Sequence, residues 1–153
     1  MFNIVLYQPE IPPNTGNIIR LCANTGATLH LVHPLGFVLS KKTLKRAALD
    51  YVDSATIKEH KNINECMSAI KKTRVFALST KGTVLYTKVD FKQNDTLLFG
   101  SETSGLPAEI LHKNYCLEVL RVPMVEKSRS INLSNTVAIV LYEGIRQLNN
   151  TLI

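Results

Sequence analysis

No apolar run in this chain approaches the roughly 20 consecutive residues that cross a bilayer, which excludes a membrane-spanning helix. The N-terminus lacks the basic start and the cleavage site of a secretion signal; Met1 to Tyr7 reads as a first strand, and a cytoplasmic protein is expected. Cysteine is scarce. Cys22, Cys66 and Cys116 are odd in number, widely spaced and outside any paired motif, so reduced thiols are expected. His30 and His33 stand three apart on an expected strand and so point to opposite faces, while His60 and His112 are isolated; no metal is expected. There is no G-x-G-x-x-G, so the Rossmann fingerprint is excluded. Gly100 and Gly105 have P-loop spacing, but Leu106 stands where that loop needs lysine. Repeats, linkers and low-complexity tracts are missing too, and 153 residues with 45% hydrophobic content suit one globular domain, 1–153.

What is present begins with charge. The formal net charge is +6, consistent with a polyanionic partner. The cations are scattered over Lys41, Lys42, Lys45 and Arg46, then Lys71, Lys72 and Arg74, then Lys127 and Arg129.

Strand-like and helix-like segments alternate. Phe2 to Tyr7 is β-prone, and Pro9 to Pro13 forbids a continuing ladder. Asn14 is expected to cap a helix to about Thr25, stopped by Gly26. Strands are expected at Thr28 to Val32, Ala55 to Glu59, Val75 to Ser79, Thr96 to Phe99 and Cys116 to Leu120. Helices are expected at Lys41 to Leu49, Ile63 to Lys72, Pro107 to Leu111 and Asn132 to about Leu148. This alternation predicts an α/β fold, a mostly parallel sheet flanked by helices. Ligands of such sheets bind beyond the carboxyl ends of the strands.

Three polar segments follow expected strands. Asn17, Arg20 and Asn24 form one stripe on the first helix. Arg20 is either an anion clamp or a snorkelling or ion-paired arginine. Gly100 to Pro107 is either a plain turn or a place where a ligand approaches the backbone closely. Ser128, Ser130, Asn132, Ser134 and Asn135 crowd the start of the last helix. Capping by Ser130, Ser134 or Asn135 needs one or two of them, and the surplus favours a polar ligand at a positive helix end. Val137 to Tyr142 is apolar all round, more than one sheet contact needs, which points to a second copy of the chain.

Together these segments resemble the SPOUT class of S-adenosylmethionine-dependent RNA methyltransferases, and within it the enzymes that act on the tRNA wobble ribose. The matching residues are Asn3 to Tyr7 with Pro9 to Arg20, Phe99 to Pro107, and Pro123 to Val125 with Ser128 to Asn135. Ser101 and Ser104 stand where some members carry Pro and Arg. The resemblance implies a C-terminal trefoil knot and no separate RNA-binding extension. It implies a homodimer and methyl transfer from S-adenosylmethionine, leaving S-adenosylhomocysteine, to the 2′-hydroxyl of the wobble cytidine or uridine in a tRNA anticodon stem-loop. It places the cofactor against Leu78, Thr80, Gly100, Glu102, Val122, Met124, Ser130 and Ser134. It gives Arg20 the hydroxyl-activating role, with Asn14 orienting it and Asn132 and Ser130 orienting the ribose. Arginine stays protonated and makes a poor general base, so phosphate, water or Glu102 remains open as the proton acceptor. Another tRNA or ribosomal RNA site, or a catalytically silent RNA-binding member, are the alternatives.

Overall fold

The central strands carry apolar residues on both faces. β1 (Asn3–Tyr7), β2 (Thr28–Val32), β4 (Val75–Leu78) and β6 (Thr96–Phe99) are buried almost end to end, as strands covered on both sides are. The computed structural model describes residues 1–39, 54–70 and 73–148. In it these strands join β3 (Ile57–His60), β5 (Val84–Leu85) and β7 (Cys116–Arg121) in one sheet. Its order is β3-β2-β1-β6-β4-β7-β5, and every pairing is parallel.

Helices α1 (Pro12–Thr25), α2 (Ile63–Ala69), α3 (Ala108–Leu111) and α4 (Leu133–Gln147) flank the sheet. Alternate strand residues serve opposite layers. Ile4, Leu6, Leu97 and Phe99 pack with Ile18, Ile19, Val137 and Leu141 of α1 and α4. Val5, Ala77 and Leu98 pack on the other face with Cys66, Ile110 and Leu111 of α2 and α3. After β6 the chain forms α3, reaches β7 beyond β4, and returns through 122–132 to α4, which packs on α1 and β6.

The first helix begins earlier than the sequence suggests. Its N-cap is Ile11, not Asn14, and no side chain caps it. Pro12 and Pro13 have no N–H, and the amides of Asn14 and Thr15 already reach the Ile11 carbonyl at 3.1 and 3.3 Å. The first turn is therefore short of orphan donors, and Asn14 is released for other work. Gly26 does stop the helix, with φ 68°.

Other boundaries move by a few residues. The expected strand from Ala55 begins at Ile57, and the helix from Ile63 ends at Ala69. β5 and the 3-10 turn Tyr86–Lys88 had no counterpart in the sequence reading, because two strand residues are too few to show a period. β2 ends at Val32, so His33 lies off the strand and meets Glu59 at 2.8 Å. The helix expected over Lys41 to Leu49 lies outside the described residues.

Candidate functional site

The three polar segments meet beyond the carboxyl ends of the strands. The Glu102 carboxylate holds them first: Oε2 accepts from the Glu10 amide at 2.7 Å, and Oε1 accepts from the Ile11 amide at 3.2 Å and the Asn14 side chain at 3.0 Å. Glu10 answers from the other side. Its carboxylate accepts from Thr103 Oγ1 at 2.7 Å and from the Thr103 amide at 3.1 Å. Two carboxylates from segments about ninety residues apart thus exchange backbone contacts.

The chain of bonds continues into the third segment. Asn14 Oδ1 accepts from Asn132 Nδ2 at 2.9 Å. Asn132 Oδ1 accepts from Ser134 Oγ at 2.7 Å and from the Asn135 amide at 3.3 Å, so Asn132 is the N-cap of α4. The cap is none of the three residues the sequence put forward; Ser134 instead braces the capping amide. Every amide in this relay has its direction fixed by its neighbours, since the Glu102 carboxylate is acceptor-only. Asn132 spends one N–H on Asn14 and keeps the other.

Gly100 shapes the middle segment. A Cβ there would lie 2.1 Å from the Gly105 carbonyl carbon, so only glycine lets the loop fold back on itself. Ser101 and Gly105 form a bridge across that turn.

The relay borders a cavity of about 480 Å³, within the range that holds a nucleoside-sized ligand. Of the sequence candidates, Asn14, Leu78, Thr80, Gly100, Glu102, Val122, Met124, Ser130 and Asn132 line it. Two do not. Ser134 is buried behind Asn132. Arg20 lies half-buried six residues along α1 from Asn14, about 9 Å of helix rise away. The polar stripe itself is present: Asn17 and Asn24 are exposed on either side of Arg20. The wall also holds residues the sequence reading did not single out, including Phe99, Leu133, Lys81 and Arg129. Their only signal was position, immediately beside residues already chosen.

The thiols take no part. Burial pushes Cys22 and Cys66 up to about 12 and Cys116 up to about 11, so each is a neutral thiol at ordinary pH.

Comparison with known proteins fits this geometry. The profile of the SpoU rRNA Methylase family matches residues 1–142. A tRNA (cytidine(34)-2'-O)-methyltransferase of Methylovorus glucosotrophus is 54% identical over 147 residues, covering 96% of each chain. A solved structure bearing on 2-OH methylation of C/U34 on tRNA superposes with TM-score 0.92 at 43% identity over 97% of each chain. An AdoMet-bound rRNA methyltransferase from Sinorhizobium meliloti superposes with TM-score 0.84 at 28% identity, over 96% of this chain and 56% of that one. The all-parallel sheet, the three converging segments and these full-length likenesses agree: the chain belongs to the SpoU rRNA methylase family, whose fold is the trefoil-knotted α/β sheet.

Proposed function

We propose that this protein transfers a methyl group from S-adenosylmethionine to the ribose 2′-hydroxyl of the wobble cytidine or uridine of tRNA. The observation that carries this reading is the relay Glu102–Asn14–Asn132, which ties three distant segments to one nucleoside-sized cavity. The full-length likeness to tRNA (cytidine(34)-2'-O)-methyltransferases selects the substrate.

The residues present fit the cofactor. Leu78, Val122 and Met124 offer apolar wall, and Gly100, Thr80 and Ser130 offer backbone and hydroxyl groups for an adenosine. When bound, S-adenosylmethionine supplies a methyl group already activated on a sulfonium. The chain's own work is alignment and charge. Asn132, held by Asn14 and Ser134, points a fixed amide at the cavity for the ribose. Glu102 has its oxygens committed to three N–H donors, so its role is to hold the site together. Arg20, on the polar stripe of α1 outside this cavity wall, grips the phosphate that flanks the target ribose. The proton leaves to that phosphate or to water.

The working unit in this reading is a homodimer in the cytoplasm. Ile139 and Tyr142 of α4 are 37% and 50% exposed on the helix that packs against α1, an apolar surface suited to a second copy. No helix among the described residues is long and apolar enough to cross a membrane. Lys41, Lys42, Lys45 and Arg46 serve as phosphate contacts for the anticodon stem-loop, so tRNA affinity falls with added salt.

The test is methyl transfer from labelled S-adenosylmethionine to total tRNA, with the modified nucleoside located by mass spectrometry. Label at the 2′-oxygen of nucleotide 34 is expected. Label elsewhere, or only in ribosomal RNA, overturns the substrate; no label with any RNA overturns the activity.

A further inference from the structure

Away from the cavity, the face of the sheet under α2 is a largely apolar layer in which Thr96 bonds Thr73. Val5, Val32, Val75, Ala77 and Leu98 make the layer, and His30 sits among them at 2% exposure. Val5 is its register partner on β1. His60 from the edge strand β3 is 6% exposed, and its Nε2 lies 2.9 Å from His30 Nδ1, with the rings stacked at 15°. Cys66 of α2 is fully buried beside them. One imidazole nitrogen from each histidine and the Cys66 sulfur lie within 4.8 Å of one another. Burying two imidazoles in an apolar layer is costly unless their nitrogens are satisfied.

The surroundings favour convergence. Asn3 Nδ2 donates to the Asn94 carbonyl at 3.3 Å, so Asn3 Oδ1 is left as an acceptor. It lies 3.4 Å from His30 Nε2, which therefore carries the proton and leaves the Nδ1 lone pair facing His60. A histidine whose far nitrogen donates to a carbonyl oxygen is oriented as metal-binding histidines are. Glu65 adjoins Cys66 and lies close enough to favour positive charge on His60. The Cys66 thiolate would supply the one buried counter-charge to a divalent ion, while Glu65 adds carboxylate charge from the exposed rim against the Lys58 ammonium.

We propose that His30, His60 and Cys66 form a binding site for a thiophilic d10 cation of the zinc(II) class, which clamps the edge strand β3 and helix α2 onto β2. Zinc bonds of about 2.0–2.1 Å to nitrogen and 2.3 Å to sulfur set donors about 3.3–3.7 Å apart. To reach that spacing the two imidazole nitrogens open slightly from 2.9 Å, and separations of up to 4.8 Å in the cluster close by about an ångström. Binding costs one proton per ion: the Cys66 S–H bond breaks, the S–metal bond forms, and the proton passes to solvent. His60 only moves its proton from Nε2 to Nδ1. The site is distinct from the methyl-transfer cavity, and its cobalt-band, proton-release and thermal readouts do not depend on that reading.

The probe is cobalt(II), added to chelator-treated full-length protein. Expected is a thiolate-to-cobalt charge-transfer band that saturates at one equivalent, is displaced by zinc, and releases one proton per ion. Zinc should also raise the thermal midpoint of the wild type. Cys66→Ala keeps the apolar volume nearly filled; it should lose the band and the zinc-induced shift while retaining its circular dichroism and its methyl-transfer activity. His60→Gln should weaken cobalt binding at least tenfold. No band at equimolar cobalt overturns the proposal. So does an undiminished band in Cys66→Ala, which would trace the thiolate to Cys22 or Cys116.

Discussion

Two regions of this molecule bury polar side chains, and they do so in different ways. Beyond β1 and β6, Glu102, Asn14 and Asn132 pass hydrogen bonds between segments, and the relay ends at a cavity wall. Under α2, His30, His60 and Cys66 are closed in by valine, alanine and leucine. The first network keeps donors in reserve where a ligand can meet them. The second pairs the two imidazoles with each other and with Asn3, away from the cavity. Burial of polar atoms alone therefore does not mark a catalytic site; what marks it is a network that runs out at open space.

The strongest ways to break the comparison lie on the side of the relay, at Arg20 on α1 and at Glu102 within it. Arg20→Ala should abolish methyl transfer while leaving S-adenosylmethionine affinity within a few-fold, measured by single-turnover assay and calorimetry. Glu102→Gln should lose both together. Gln presents an N–H₂ group to a position that meets only donors, which displaces the Glu10–Asn14 turn. A displacement of that kind costs about 10²-fold in rate, and cofactor affinity should drop with it. If Glu102→Gln lowers rate alone, the carboxylate touches the reacting atoms after all.

Next is Gly100→Ala. The added methyl would stand 2.1 Å from the Gly105 carbonyl carbon and 2.3 Å from the Leu106 amide, both backbone atoms with no rotamer to yield. A loss of about 3 kcal/mol in urea unfolding is expected, with the cavity wall displaced. A variant of wild-type stability would show that the loop can fold back without glycine.

The closed region answers to pH instead, in metal-free protein. His30 is pushed down to about 4, first by burial, then by His60 and Lys58. His60 is lowered as well, chiefly by burial and secondarily by Lys58, against an upward pull from Glu65. Both ionise near 6.5 in the unfolded chain. Below that pH the unfolded state takes up protons that the fold refuses. This contribution is complete above about 6.5 and drains away as pH falls toward 4, on the order of 2–3 kcal/mol for His30. His30→Gln should flatten the decline between those values in a series of urea titrations.

The two regions also differ in how far the sequence reveals them. The strand-helix alternation was legible because strands such as Val75–Leu78 and Thr96–Phe99 are unbroken apolar runs. The wall of the cavity was partly legible because many of its residues cluster in short polar segments after such runs. Asn14 misled at the level of local structure: it does not cap the helix, which already begins at Pro12 from Ile11, so the amides that follow Asn14 are paired within it. Arg20 falls outside the cavity, since helical spacing places a residue on a stripe without saying what the stripe faces; Ser134, put forward by the resemblance, turns instead to the Asn132 cap. The histidine pair was invisible. His30 and His60 are thirty residues apart and meet only because β2 and β3 pair in a register that sets Val32 beside His60. That register is a property of the folded sheet.

The mildest test separates the two halves of the carboxylate exchange. The Glu102 half is partly buried and serves three donors; the Glu10 half is exposed and, among the described residues, serves Thr103. Thr103→Val deletes the hydroxyl that donates to Glu10 but keeps the backbone amide bond at 3.1 Å. Water can replace the lost donor at an exposed carboxylate, so stability should fall by about 1 kcal/mol or less. Methyl transfer should stay within a few-fold of wild type. A hundredfold loss would mean that Glu10 and Glu102 act as one unit, and that the loop from Gly100 is positioned from both sides rather than from Glu102.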